Sequence, residues 1–134
     1  MRKLLSGLVI LPVILVLSAC TRAHEFPTGD FYESTPGGSG KWILMSDELY
    51  FTFSEDGTFE ITTSSSIQKI TGTYSIDGDK YTEVSTDLTS CSVKGPATYR
   101  WTFNGQTLKF FGIGEDTCVY RTDIMEGREL IRKK

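Results

Sequence analysis

The chain has 134 residues, 39% apolar and 23% charged, a size and composition that suit one globular domain and exclude both disorder and a two-domain layout. A formal charge of −3 is the wrong sign for a nucleic-acid binder, and a single histidine leaves no material for a histidine-dependent triad within the fold.

The chain opens on the basic stretch Met1-Arg2-Lys3, followed by Leu4–Leu17 without a charge and then Ser18-Ala19-Cys20. This is the three-part layout of a secretory signal segment. Its 14-position core is shorter than the roughly 20 residues a spanning helix needs. Leu17-Ser18-Ala19-Cys20 is similar to the bacterial lipobox. That resemblance implies cleavage after Ala19, a thioether-linked diacylglycerol on Cys20, and an amine open to a further acyl chain such as palmitate. Two or three chains, at about 0.8 kcal/mol per buried methylene, hold a protein to a membrane without a spanning helix. The expected organisation is a signal segment over 1–19, a lipidated, solvated tether over 20–27 that includes His24, and one domain over 28–134. Cleavage removes two of the 14 basic groups and none of the 17 acidic ones, so the body is held by its tether and not by charge.

From residue 28 onward the pattern is all β. Leu49, Phe51 and Phe53 alternate with polar residues, as do Phe59 and Ile61, Gly72, Tyr74 and Ile76, Tyr99, Trp101 and Phe103, and Leu108 and Phe110. A period of two with one polar face predicts strands half-buried on a core. Asp56-Gly57, Asp77-Gly78 and Asn104-Gly105 are hairpin-turn dipeptides. Eight strands are expected, at about 28–33, 48–54, 58–63, 68–76, 80–85, 98–104, 106–111 and 117–121, with 123–134 either a last strand or a short helix. The connections after the second, fourth and sixth strands are tight; those at 34–47, 64–67, 86–97 and 112–116 are long. In an up-and-down meander this puts all tight turns at one pole and all long loops at the other. The layout is that of a small closed antiparallel barrel, which leaves no sheet edge exposed. The tether enters at the tight-turn pole, so anchor and mouth are expected on opposite poles.

With Cys20 lipidated, Cys91 and Cys118 remain, and two cysteines in an exported domain imply a disulfide. Zinc is the alternative, but no histidine or second cysteine pair accompanies them. The long loop after the first strand carries Trp42-Ile43-Leu44-Met45, either a buried segment or a lid over a pocket. Asp77-Gly78-Asp79 lacks the glycine and glutamate of a calcium loop and reads as a turn. Glu115-Asp116 reads as a solvated pair on a mouth loop, without an identifiable acidic partner.

Phe-Ser-Glu-Asp-Gly-Thr-Phe at 53–59, Gly-Thr-Tyr at 72–74, Ala-Thr-Tyr-Arg-Trp-Thr-Phe at 97–103 and Asp-Thr-Cys-Val-Tyr-Arg at 116–121, with a Gly-x-aromatic opening, cover most of the mature domain. In these pieces the domain resembles bacterial lipoproteins with a lipocalin-like (calycin) β-barrel. Calycins pack an early Gly-x-Trp beneath a basic residue near the last strand. The resemblance assigns those places to Gly29, Phe31 and Arg121, with Gly40-Lys41-Trp42 a literal Gly-x-Trp that competes with Phe31. It implies an exported, lipid-anchored binder of a small apolar or amphipathic molecule, with Trp42, Met45, Gly72, Tyr74 and Trp101 at the mouth or ligand site, Gly72 making room. The alternative is an envelope interaction, structural or inhibitor lipoprotein with a filled barrel that meets a protein partner through its loops. Neither reading calls for catalysis, a metal, a cofactor beyond the covalent lipid, or nucleic acid.

Overall fold

A computed structural model of the chain describes residues 25–34, 48–64, 69–86, 91 and 94–134. The signal segment, Cys20, His24, Trp42 and Met45 lie outside those residues. The eight strands are β1 (Gly29–Glu33), β2 (Leu49–Phe53), β3 (Thr58–Thr63), β4 (Lys69–Asp77), β5 (Lys80–Ser85), β6 (Ala97–Phe103), β7 (Thr107–Gly112) and β8 (Leu130–Arg132), with helix α1 (Val119–Met125) between β7 and β8. Each strand pairs antiparallel with the next, and β8 returns to β1 to close the barrel.

The period-two pattern is realised residue by residue. Leu49, Phe51 and Phe53 are buried while Tyr50 and Thr52 face out, and Phe59 and Ile61 face in beside Glu60 and Thr62. The turns hold themselves. Asp56 Oδ1 accepts from the backbone N–H and the hydroxyl of Thr58, and Asn104 Oδ1 accepts from the N–H groups of Gln106 and Thr107. Gly57 and Gly105 sit at φ 80° and 98°, where a side chain would be strained.

Seven strands fall where the alternation puts them. The eighth does not: 117–121 is not a strand, and most of it belongs to α1, while β8 comes from the tail. Arg121, Ile124 and Met125 recur at helical spacing and are the helix's buried residues. Val119 is 58% exposed while Arg121 is buried, so the two lie on different faces of α1 and do not share a face as they would on a strand. The strand total is unchanged, so the poles stand as expected. Gly29 lies opposite Phe53, and the Lys133 N–H donates to the Asp30 carbonyl, so β1 begins and β8 ends at the tight-turn pole.

Phe26 and Pro27 fell within the expected tether, yet both are buried. The Phe26 ring centroid lies 5.3 Å from that of Phe53, 5.2 Å from Tyr74, 5.5 Å from Tyr81 and 5.2 Å from Trp101. It plugs the tight-turn pole, a burial that stabilises by roughly 1.5–3 kcal/mol. At the other pole Cys91 and Cys118 form the expected disulfide, with Cα atoms 5.3 Å apart and a sequence separation of 27. Chain entropy alone makes such a cross-link worth about 3–4 kcal/mol. It ties the middle of the β5–β6 connection to Cys118, the N-cap residue just before α1.

Candidate functional site

The long-loop pole is closed by the segment that follows β7, and its chemistry lies where that segment meets the strands. Arg121, on the inner side of α1, is only 4% exposed. Its Nε and Nη2 donate to the two carboxylate oxygens of Asp116 at 2.8 Å each, and its Nη1 donates to the Gly95 carbonyl at 2.9 Å. Glu83, which points inward from β5, brings Oε1 to 3.8 Å from Arg121 Nε and accepts from the Tyr81 hydroxyl at 3.0 Å. The Tyr99 hydroxyl donates to Asp116 at 2.6 Å, and the Cys118 N–H donates to it at 2.9 Å. One guanidinium thus faces two carboxylates in a buried cluster.

A second cluster repeats the plan. Arg128 pairs with the inward-facing Glu33 of β1, donates from Nε to the Asp123 carbonyl at 2.9 Å, and keeps Nη2 3.6 Å from the Asp123 carboxylate. Asp116–Arg121 and Asp123–Arg128 share a spacing of five and follow each other by seven. In both, an arginine of the closing segment reaches a glutamate buried inside the barrel wall. Glu33 Oε2 has no hydrogen-bond partner among the described residues.

The electrostatics of the first cluster are uneven. Burial pushes Glu83 up to about 7, against the Tyr81 hydrogen bond and the Arg121 charge. Burial also pushes on Asp116, but the hydrogen bonds from Arg121, Tyr99 and Cys118 outweigh it and leave that carboxyl below its ordinary value. Tyr99 is held high by burial and by its bond to Asp116. Carboxyls driven apart in this way resemble an acid–base pair. The cavity beside Glu83, lined also by Ser85, Cys91, Arg121, Ile124 and Met125, measures about 10 Å³, close to the space of one water. The arrangement is a latch that pins α1 across the barrel end. A cleft of about 210 Å³ opens between the start of β6 and residues 112–116, with Tyr99 and Asp116 of the cluster in its lining and Glu126 on its rim.

The residues expected at the site are dispersed. Arg121 is not at the barrel floor beneath Phe31 but at the opposite pole, because it belongs to α1 and not to a strand. The basic residue over Phe31 is Arg132 of β8, its guanidinium carbon 5.5 Å from the Phe31 ring centroid and 4.8 Å from that of Phe103. Arg132 also donates to the Thr28 carbonyl at 3.2 Å, next to Gly29. Tyr74 and Trp101 are not at the mouth; their polar tips bond Ser54 and Gly78 at the tight-turn pole. Gly72 makes room for no ligand. A Cβ there would lie 2.5 Å from a Phe59 ring carbon and 2.3 Å from the Val84 carbonyl oxygen, so the space belongs to Phe59. Asp116 is not solvated, because Arg121, Tyr99 and Cys118 enclose it.

Glu83, Glu33, Asp123 and Arg128 were missed, though signals existed: a glutamate on the inward parity of two strands, and Asp-x-x-x-x-Arg twice in succession. Among the described residues no group of three or more His, Cys, Asp or Glu is placed to hold a metal ion, and no helix is long and apolar enough to cross a membrane. Compared with protein-family models, with curated proteins and with solved structures, the chain matches none.

Proposed function

We propose that the chain is an exported lipoprotein, anchored through diacylglycerol on Cys20, whose packed barrel presents its long-loop pole to a protein partner in the aqueous space of the cell envelope. The observation that carries this reading is the filled interior. Phe26, Phe53, Tyr74, Tyr81, Trp101 and Phe110 pack together on the barrel axis, and α1 lies across the far end. Among the described residues the cavity inside the wall is about 10 Å³, whereas a small-molecule cup needs a few hundred. This favours the interaction class over the ligand-binding one. The kinship with lipocalin-like lipoproteins is supported by the closed eight-stranded barrel and by Arg132 above the ring of Phe31.

Native mass spectrometry of the purified chain tests the reading. The expected spectrum holds the protein with its covalent lipid alone; a stoichiometric non-covalent apolar adduct would return the function to the cup. The anchor has its own check. Cys20→Ser is expected to release the protein from the membrane fraction, and a variant that stays bound to membrane at unchanged mass sinks the anchor.

A further inference from the structure

We propose that the cleft at the long-loop pole receives an arginine side chain of the protein partner, held between the carboxylates of Glu115 and Glu126. The inference rests on the reading that this pole meets a protein, and it names the chemistry that protein must present. The cleft, about 210 Å³, lies between the start of β6 and residues 112–116, with Glu126 on its rim.

The charge left in the cleft follows from which acids are already paired. Asp116, in the lining, accepts from Arg121, the Tyr99 hydroxyl and the Cys118 N–H, so its charge is spent within the latch. Glu33 and Asp123 face Arg128, and Glu129 pairs with Lys109. Glu115 and Glu126 are exposed, and neither carboxylate has a hydrogen bond or ion pair to a described residue. Two unbalanced negative charges therefore line one cleft.

Glu126 is held there by the fold. β7 ends on Gly112, and a Cβ at that position would collide with Glu126 Oε1; the three nearest atoms it would meet are the carboxyl atoms of Glu126. The carboxylate thus lies over the bare backbone of Gly112. Its main chain is fixed by the Glu126 N–H, which donates to the Thr122 carbonyl at 2.9 Å, and by the Gly127 N–H, which donates to the Phe110 carbonyl at 3.4 Å.

An occupant for this cleft must be cationic and must meet two carboxylates that come from different segments. A guanidinium does so with a planar fork of five N–H donors, whereas an ammonium acts as a point charge. The arginine stem covers apolar surface, and Ile113 in the lining is 39% exposed. Among the described residues no three acidic groups are placed to hold a metal ion. The formal charge of −3 has the sign that draws a basic surface towards the chain.

The probe is the blocked peptide acetyl-Gly-Arg-Gly-amide, titrated into the disulfide-intact chain while backbone amides are followed by NMR. The amides of Ile113, Gly114 and Glu126 are expected to move together, with half-saturation at about 1–10 mM, the range open to a single charge-assisted contact. Glu115→Gln and Glu126→Gln are each expected to weaken binding about five- to tenfold. Gly112→Ala changes no charge and displaces only the Glu126 carboxylate, and it is expected to weaken binding to the same extent. Glu55→Gln, which removes a charge at the tight-turn pole, is expected to leave binding unchanged. Three results overturn the proposal: cleft amides that stay in place, equal shifts with the neutral citrulline peptide or with sodium chloride at the same concentration, and equal binding of the lysine peptide. So does a Glu126→Gln chain that binds no more weakly than Glu55→Gln; if Gly112→Ala does not fold, the glutamine variants decide. An apolar adduct in the native mass spectrum would sink the proposed function and leave these shifts standing. Absent shifts with a clean mass spectrum would sink the arginine site alone.

Discussion

Arg121→Ala is expected to lower the unfolding free energy by about 3–5 kcal/mol, measured by equilibrium urea denaturation at pH 7. The guanidinium carries three hydrogen bonds at 2.8–2.9 Å and is the cation between Asp116 and Glu83. Without it, two carboxyls face each other away from water, and the Gly95 carbonyl loses its donor. Arg121→Lys keeps the charge but not the planar fork, so it recovers only part of the loss. The pairs Lys69–Glu60 and Arg100–Asp79 supply the contrast. Their side chains are 59% and 42%, and 60% and 61%, exposed, and removing either lysine or arginine is expected to cost under about 1 kcal/mol. A loss below about half a kcal/mol for Arg121→Ala would mean that the latch does not hold the helix.

Stability is expected to fall as the pH rises from 5 to 8.5, by roughly 2–3 kcal/mol, and Glu83→Gln to abolish most of that fall. Burial raises Glu83 from 4.5 to about 7, so the folded chain binds this proton more tightly than the unfolded chain does. The contribution is full below pH 4.5 and is lost as the pH passes through 7. The other groups around Glu83 stay out of this window. Tyr81 and Tyr99 are both raised from 10, Arg121 is raised from 12.5 by its bond to Asp116, and Asp116 is lowered from 3.8. Asp116 contributes with the opposite sign, present above 3.8 and lost as the pH falls through its folded value, so it acts only at strongly acid pH. Urea denaturation of both chains at pH 5 and 8.5 reads the effect. A chain more stable at 8.5 than at 5, with Glu83→Gln unchanged, would place a charged Glu83 in the fold.

Alternation by itself determined most of the barrel. Leu49, Phe51 and Phe53 leave no register but one in which the rings face in, because slipping a strand by one residue turns every side chain over. The dipeptides at 56–57, 77–78 and 104–105 then force neighbouring strands into hairpins. The disulfide was also legible, since two cysteines remained for one bridge.

What alternation does not carry is competition between elements for the same space. Over a stretch as short as 117–121 alternation alone reads as a strand, and α1 prevails because Arg121, Ile124 and Met125, with Val119 left exposed, cover the open end of the barrel. Local spacing likewise does not say which basic residue lies over Phe31; Arg132 does so only because β8 pairs with β1. Phe26 precedes every strand and shares no period with them, so its burial follows from a hole that exists only once five strands have closed around it. The inward glutamates are the sharpest case. Sequence parity put Glu33 beside Phe31 and Glu83 beside Tyr81, on an apolar face where an isolated charge costs several kcal/mol. Only the tertiary structure brings Arg128 and Arg121 across the barrel end to meet them, because partners 95 and 38 residues away along the chain become neighbours when the last segment folds back over the pole.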